Sequence, residues 1–257
     1  MKKFSINSVV NFSSFTDSIS FLLDASISNG DVIEYEISVN NGQFTKTQTV
    51  SKVYGVTQVL FSDNATSTSN WNASSWTVTT ANFYSSPSSI TDSPNGNYSS
   101  NSNTSISLSN NISLYNAVVA TLTFYAKWDI ENNFDYVQIL ISNDGGISWT
   151  PQCGNYTNKG AASQNAAANK PLYDGIQSLW IKEEINLSDY LGDNIKMKFV
   201  LVSDNWLNED GFYFDDLQVN VIYPSVGIEQ KIILESIKVS PNPATANINI
   251  SYIIQSN

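Results

Sequence analysis

The stretch that decides the fold is Gly211-Phe212-Tyr213-Phe214-Asp215-Asp216-Leu217-Gln218-Val219. Aromatic and β-branched residues dominate it, which is the composition of a β-strand. Two adjacent carboxylates stand in the middle of this apolar run, where a sandwich strand would carry core or ordinary surface residues. Carboxylates in an apolar strand are costly unless a cation or hydrogen-bond donors satisfy them. The stretch therefore predicts a built-in metal site rather than a catalytic one.

Four other segments alternate apolar and polar residues with the period of two that predicts strands with one apolar face. Their apolar positions are Ile33, Tyr35, Ile37 and Val39; Leu122, Phe124, Ala126 and Trp128; Val137, Ile139 and Ile141; and Ile195, Met197, Phe199 and Leu201. Turn residues follow the first and third segments, at Asn40-Asn41-Gly42 and Asn143-Asp144-Gly145-Gly146, and predict hairpins. The pattern predicts an all-β protein with almost no helix, an antiparallel β-sandwich of the jelly-roll type.

The chain divides into four stretches. Residues 1–58 hold too few strands for a sandwich of their own and are predicted to be a partial β-sandwich segment. Residues 59–223 are predicted to form the jelly-roll domain. Residues 224–236 form a linker, and residues 237–257 form a short C-terminal β tail.

Composition excludes several classes of function. Only 14% of the 257 residues are charged, which is typical of extracellular β modules, and the net charge of −11 disfavours binding to nucleic acid or anionic membrane. The chain has no histidine, which removes histidine-liganded zinc and histidine-dependent triads. Its one cysteine, Cys153, allows no intramolecular disulfide, and no apolar run is long enough to span a membrane. Polar residues interrupt the stretch after Met1-Lys2-Lys3, so the chain is expected to begin inside a longer protein or at an artificial start.

A series of motifs between Phe61 and Val221 resembles the MAM-like jelly-roll domain of secreted bacterial peptidases, of the immune inhibitor A and zinc carboxypeptidase types. The motifs are Trp76; Ser89-Ile90-Thr91-Asp92-Ser93-Pro94 with Asn97-Tyr98; Leu122-Thr123-Phe124; Phe134-Asp135-Tyr136-Val137; Ser142-Asn143-Asp144-Gly145-Gly146 with Trp149; Leu187-Ser188-Asp189-Tyr190-Leu191-Gly192; Phe199; Ser203-Asp204; and Gly211-Phe212-Tyr213-Phe214-Asp215-Asp216. Residues 31–61 resemble the β segment that links a zinc carboxypeptidase domain to such a jelly roll.

A second resemblance lies at the C-terminal end. Ile237-Lys238-Val239-Ser240-Pro241-Asn242-Pro243-Ala244-Thr245, followed by Asn247-Ile248-Asn249-Ile250, resembles the opening of the C-terminal sorting domain of type IX secretion in Bacteroidetes. It implies export through the outer membrane, contact with the type IX secretion machinery, and an extracellular or cell-surface location. Such a domain normally continues for several more strands, so residues 237–257 correspond to its truncated start.

The first resemblance also implies a cation that ties the first strand, a following loop and the last strand together. Asp63, Asp92 and Asp216 occupy those places, and Asp215 is the alternative ligand. With loop carbonyls near residues 93–97, these oxygens suit a structural Ca²⁺ ion. The alternative is that Asp92 only caps a turn and that Asp215 lies in solvent.

A second acidic loop contains Asp204, Glu209 and Asp210. It is either a solvated loop or a weaker cation site or ligand rim. Trp206 stands among these polar residues, and it either folds over the sheet edge or is exposed, where it could stack on a sugar or anchor a protein. Two tryptophans at strand positions are predicted to lie in the core: Trp128 and Trp149.

The sequence favours a noncatalytic accessory region of a secreted multidomain bacterial protein, whose parent is a zinc carboxypeptidase or similar metallopeptidase according to the resemblance. Asp215 and Asp216 are neighbours in a strand and should point to opposite faces. They would then be unable to flank one glycosidic bond. The expected partners are the parent's catalytic domain or an extracellular protein or glycan. A carbohydrate-binding or adhesion module is the competing hypothesis, and a structural spacer is the third.

Overall fold

The structure is a computed structural model that describes residues 22–40, 43–224, 233–240 and 249–255. The chain divides into two compact units, Met1–Tyr223 and Pro224–Asn257. Three sequence features singled out above lie outside the described residues: Met1-Lys2-Lys3, the turn residues Asn41-Gly42, and Pro241-Asn242-Pro243.

The described residues are mostly β-strand. In chain order the strands are β1 Val32–Asn40, β2 Thr45–Val53, β3 Gln58–Asp63, β4 Trp71–Ala73, β5 Thr77–Thr79, β6 Ser89–Thr91, β7 Asn103–Leu108, β8 Ile112–Ser113, β9 Val119–Ile130, β10 Tyr136–Ser142, β11 Thr150–Pro151, β12 Asn158–Lys159, β13 Pro171–Leu172, β14 Gly175–Asn186, β15 Asn194–Val202, β16 Gly211–Ile222, β17 Ile233–Ser240 and β18 Asn249–Gln255. Within the same part of the chain, the helical segments are two short 3-10 helices, Ala162–Ala167 and Ser188–Tyr190.

Two six-stranded antiparallel sheets form the sandwich. One sheet has the order β11-β10-β15-β7-β4, with β8 also paired to β15. The other has the order β14-β9-β16-β6-β5, with β3 also paired to β16. The strand that contains the paired aspartates is therefore an inner strand, bonded to β9 on one edge and to β3 and β6 on the other. The predicted all-β antiparallel jelly-roll fold is confirmed.

The core lies between the two sheets, where the alternating apolar positions meet. Phe199 of β15 stacks on Phe214 of β16 with ring centroids 4.4 Å apart, and Trp71 packs edge-on against both. Each buried aromatic side chain of this kind contributes roughly 1.5–3 kcal/mol through burial alone. The apolar positions predicted from β9, β10 and β15 are all buried: Leu122, Phe124, Ala126, Trp128, Val137, Ile139, Ile141, Ile195, Met197, Phe199 and Leu201.

One prediction about the core is wrong. Trp149 is partly exposed, because it follows the hairpin turn outside the sandwich. Its ring lies under Lys198 Nζ at 4.3 Å, and its Nε1 donates to the Gly146 carbonyl at 3.0 Å. The hairpin itself is confirmed, since β10 pairs with β11 across this turn.

The N-terminal hairpin pairs β1 with β2 from Val32 opposite Val53 to Asn40 opposite Thr45, as predicted. Three of its apolar residues, Ile33, Tyr35 and Ile37, are not part of the main core, and Ile37 is 46% exposed. The hairpin base is fastened to the end of β16 by a hydrogen bond of 2.9 Å from Asn29 Nδ2 to the Tyr223 carbonyl. In the second unit, β17 and β18 form one antiparallel pair.

Candidate functional site

Asp63 ends β3 and is satisfied by N–H donors from the turn that follows it. The carboxylate is 5% exposed. Its Oδ1 accepts from the Ala65 backbone at 2.8 Å, and its Oδ2 accepts from Asn70 Nδ2 and Trp71 Nε1, both at 2.9 Å. These three bonds fix the turn between β3 and β4, so the buried charge has a local structural role.

Asp215 and Asp216 contact the same residue, contrary to the expectation that they face opposite sides. Asp215 is fully buried and accepts from the backbone N–H groups of Tyr84 and Ser85 at 3.0 and 2.8 Å. Asp216 accepts from Ser85 Oγ at 2.9 Å. The pairing of β16 with β9 shifts register between Asp215 and Gln218, and Asp216 has a φ of 48°. The strand therefore carries a bulge, which breaks the period of two on which the expectation rested.

Asp92 follows β6 and reaches across to the start of β16. Its Oδ1 accepts from the Phe212 backbone N–H at 2.7 Å, whereas its Oδ2 is buried without a hydrogen-bond partner. Burial raises the pKa of Asp92 to about 7, although the bond from Phe212 acts in the opposite direction. Gly211 has a φ of 87°, and a Cβ atom there would lie 2.7 Å from both Asp92 oxygens. A glycine is therefore required where β16 passes the carboxylate.

The four predicted metal ligands do not gather around one point. Asp63 and Asp215 are held by separate sets of N–H donors, and Asp92 is fixed against β16. In the part of the chain that the structure describes, one group of three acidic side chains has ligand atoms within 4.8 Å of one another: Glu131, Asp135 and Asp204. We call this group the acidic trio.

The acidic trio joins the end of β9, the start of β10 and the loop before β16. Asp135 is fully buried; its Oδ1 accepts from the Asp204 backbone at 2.6 Å, and its Oδ2 accepts from Tyr98 Oη at 2.8 Å. Glu131 has a buried Oε2 without a hydrogen-bond partner. Burial raises the pKa of Glu131, and the charges of Asp135 and Asp204 raise it further. A cation would relieve this repulsion, and carboxylate oxygens are the ligands that Ca²⁺ prefers.

The loop that contains Trp206 is joined to the loop that follows Asp92. The Tyr98 backbone N–H donates to the Glu209 carbonyl at 3.0 Å, and the Asn101 backbone N–H donates to the Asp204 carbonyl at 2.5 Å. Trp206 is 80% exposed, which rules out the reading that it folds over the sheet edge. Residues 92–104, 131–135 and 203–210 thus form one end of the sandwich, which we call the loop end.

The sequence predicted the acidic residue Asp204 at the loop end but not its partners Glu131 and Asp135. Asp204 was predicted in the second acidic loop, but its partners are Glu131 and Asp135 rather than Glu209 and Asp210. Asp210 Oδ1 instead accepts from Tyr213 Oη at 2.9 Å. The available signal was the position of two acidic residues directly after β9 and directly before β10.

Residues 91–226, more than half of the chain, match the family described as immune inhibitor A-like, MAM domain. The chain belongs to this family. This MAM-like chain is also 32% identical to Bacillopeptidase F of Bacillus subtilis over 96 residues. The aligned stretch covers 37% of this chain and 5% of that protein. The chain is 29% identical over 102 residues to the pre-pro-metalloprotease PrtV of Vibrio cholerae, covering 40% of the chain and 10% of that protein. The chain thus spans only a small part of the length of the curated relatives it matches.

Among solved structures, the chain is similar to the CBM22-1 xylan-binding domain of Paenibacillus barcinonensis Xyn10C. The sequence identity is 14% and the TM-score is 0.42, over 66% of this chain and 99% of that domain. No helix among the described residues of the MAM-like chain is long and apolar enough to cross a membrane.

Proposed function

We propose that the MAM-like chain is a noncatalytic accessory region of a secreted multidomain peptidase. The family match over residues 91–226 carries this proposal. The matched segments of Bacillopeptidase F and PrtV are small parts of proteins whose names are those of peptidases. The chemistry of such a protein would then reside outside the matched segment.

The residues of the chain are consistent with a catalytic site that lies elsewhere in the parent protein. The chain has no histidine, so the zinc site of a carboxypeptidase of the type that the sequence resembles must come from residues elsewhere in the parent. The buried carboxylates Asp63 and Asp215 are engaged by N–H donors that hold turns and strands together. Their role is to stabilise the sandwich that the parent carries.

The accessory region is further proposed to hold a structural Ca²⁺ ion at the acidic trio. Three carboxylates converge there, and the buried Oε2 of Glu131 has no hydrogen-bond partner. A cation at this point would connect the loops after β9 and before β16, and its binding energy would add to the stability of the fold. This proposal moves the expected ion away from the set Asp63, Asp92, Asp215 and Asp216.

The C-terminal tail is proposed to begin a type IX sorting domain that directs the parent to the outside of the cell or to its surface. The proposal rests on the sequence of residues 237–250 and on the observation that the described parts of this tail form two paired strands. The partner would be the type IX secretion machinery.

The peptidase proposal is tested with an antibody raised against the purified chain. Depleting the culture medium of the source bacterium with this antibody should remove a caseinolytic activity, whereas the purified chain alone should digest no casein. Preimmune serum is the matched control. The proposal fails if depletion removes the immunoreactive protein and leaves all peptidase activity in the medium.

A carbohydrate-binding or adhesion module is the second candidate, favoured by one observation. Trp206 is 80% exposed and Leu207 beside it is 50% exposed, on a loop whose other residues are polar, and exposed tryptophans stack on sugar rings. Affinity electrophoresis of the chain through gels that contain polysaccharides tests it. Retardation by one polysaccharide that Trp206→Ala abolishes would support binding, and equal mobility in every gel would refute it.

A further inference from the structure

Four aromatic rings are in mutual contact on the outer face of one sheet. Tyr125 of β9 and Tyr213 of β16 alternate with core residues along their strands, so their rings lie on the side turned away from the sandwich interior. Tyr84, in the loop between β5 and β6, stacks on Tyr125 with ring centroids 3.5 Å and planes 9° apart. Trp180 of β14 packs edge-on against Tyr84 and Tyr213, at 6.4 Å from each. We call these four residues the aromatic platform.

Part of the aromatic platform faces solvent. Tyr125 covers one face of the Tyr84 ring, yet Tyr84 is still 46% exposed, so its exposure is on the other face. The neighbouring residues extend this apolar surface, since Phe83 is 39% exposed and Leu179, next to Trp180, is 74% exposed. Contiguous exposed apolar surface with a polar surround indicates an interaction site.

The paired aspartates of β16 hold the loop that carries Tyr84. Asp215 is fully buried and accepts from the backbone N–H groups of Tyr84, Ser85 and Asp216, and Asp216 accepts from Ser85 Oγ. Burying a carboxylate and holding Asp216 at a φ of 48° both cost free energy. What they fix in place is a loop with an exposed aromatic ring. Such preorganisation is typical of binding sites, because it reduces the entropy lost when a ligand binds.

The groups around the rings favour a neutral sugar chain over a protein. Lys127 Nζ lies 5.0 Å from the centroid of the Tyr213 ring, and Lys182 is the cross-strand neighbour of Tyr125. Lysines are depleted from the apolar centre of protein interfaces, but here they stand directly beside the rings. A sugar ring matches this arrangement, since its C–H face stacks on an aromatic ring while its hydroxyls bond to polar neighbours.

The charges beside the rings do not select a charged ligand. Asp129 and Glu184 follow Lys127 and Lys182 two residues further along the same strands, so all four side chains lie on the outer face of the sheet. Because both signs of charge occur there, a neutral ligand is favoured over an acidic or a basic one.

We propose that the aromatic platform binds a neutral polysaccharide, with a sugar ring stacked on the exposed face of Tyr84. This assignment rests on the carbohydrate-binding candidate and gives it a contact besides Trp206. The two surfaces adjoin, since Tyr213 Oη donates to Asp210 Oδ1 at 2.9 Å and Asp210 belongs to the loop that displays Trp206.

The test is affinity electrophoresis of the whole chain through native gels, each with one neutral polysaccharide: hydroxyethylcellulose, xylan, galactan, galactomannan, laminarin or starch. At least one of these should retard the native chain. Tyr84→Ala removes the exposed ring and should raise the dissociation constant for that polysaccharide by about tenfold. Tyr115→Ala is the matched control. It removes a tyrosine that is 68% exposed between β8 and β9, and it should leave the affinity unchanged.

Circular dichroism shows whether each variant is folded. If Tyr84→Ala is not, Trp180→Ala takes its place and should weaken binding, because it removes the ring that packs against Tyr84. Unchanged affinity in a folded platform variant would overturn the proposal.

Sedimentation velocity tests whether the platform instead contacts a second copy of the chain. A dimer that Tyr84→Ala dissociates, together with no retardation of the native chain in any gel, would assign the platform to self-association and overturn the proposal.

The same gels separate this proposal from the candidate function on which it rests. Retardation that Trp206→Ala abolishes and Tyr84→Ala leaves intact would refute the platform and keep carbohydrate binding. Retardation that Tyr84→Ala abolishes would support the platform, whatever Trp206→Ala does. No retardation by any polysaccharide would refute both.

Discussion

The buried carboxyl group of Asp92 should make the stability of the chain depend on pH in a way that one substitution removes. Burial raises the pKa of Asp92 from 3.8 in the unfolded chain to about 7 in the folded one. Between these values the folded state keeps a proton that the unfolded state has lost. The free energy of unfolding therefore falls as pH rises from about 4 to about 7, and the loss persists above that range.

The size of the effect follows from the shift in pKa. About three units at 1.36 kcal/mol each give a penalty of about 4 kcal/mol above pH 7, and almost none below pH 4. Asp92→Asn carries no ionisable group and should keep the bond from the Phe212 N–H. Relative to the native chain, this variant should gain up to about 4 kcal/mol in unfolding free energy on going from about pH 4 to about pH 8.

The assay is urea unfolding followed by tryptophan fluorescence, at several pH values between about 4 and about 8, for both proteins. Subtracting the unfolding free energy of the native chain from that of the variant cancels the pH dependence contributed by other buried carboxyl groups with raised pKa values, Asp135 and Asp215 among them. A difference in stability that stays constant across this range would refute the reasoning, because Asp92 would then ionise as it does in solvent.

Three further predictions concern the other carboxylates. Asp63→Ala leaves three N–H donors without an acceptor, Trp71 Nε1 among them. The free energy of unfolding measured in urea should therefore fall by about 3–5 kcal/mol, and a loss below about 1 kcal/mol would contradict the structural role of Asp63 in the turn. Asp216→Val puts a β-branched side chain at a φ of 48° and should cost about 2 kcal/mol more than Asp216→Asn in the same assay, whereas equal costs would argue against the bulge. Ca²⁺ at 100 times its dissociation constant should stabilise the native chain by about 2.7 kcal/mol and Glu131→Gln by much less, as read from melting temperatures; a Ca²⁺ effect that survives Glu131→Gln would exclude the acidic trio.

Strand periodicity predicted the sandwich because the inner faces of its long strands obey a simple rule. Leu122, Phe124 and Ala126 alternate with polar residues along β9, and all three are buried. Burial of one face is the dominant favourable term in such a fold, so the pattern alone identifies the strand and the face that it buries.

The same rule failed where the backbone departs from regular geometry. The amino-acid sequence of β16 does not predict the bulge, because the bulge depends on how β16 pairs with β9. The bulge places Asp216 at a positive φ. Trp149 likewise follows an apolar strand in sequence, but the hairpin turn leaves it outside the core. Local departures of this kind are decided by tertiary pairing.

The loop end could not be assembled from the sequence, since its parts are far apart along the chain. Asp135 contacts the backbone of Asp204 and the hydroxyl of Tyr98 because β10, β15 and β7, which adjoin these residues in the chain, lie side by side in one sheet. The sequence predicted Asp92 as a metal ligand, and in the structure its carboxylate is buried against β16. Its unpaired oxygen became visible only in three dimensions.

The central claim is that this MAM-like region is carried by a larger secreted peptidase. Its most direct test is tandem mass spectrometry of the single polypeptide that an antibody against the chain recovers from the culture medium of the source bacterium. The account predicts one band heavier than 28.3 kDa that yields peptides of this chain together with peptides of a peptidase catalytic domain. A band of 28.3 kDa that yields only peptides of this chain would contradict it.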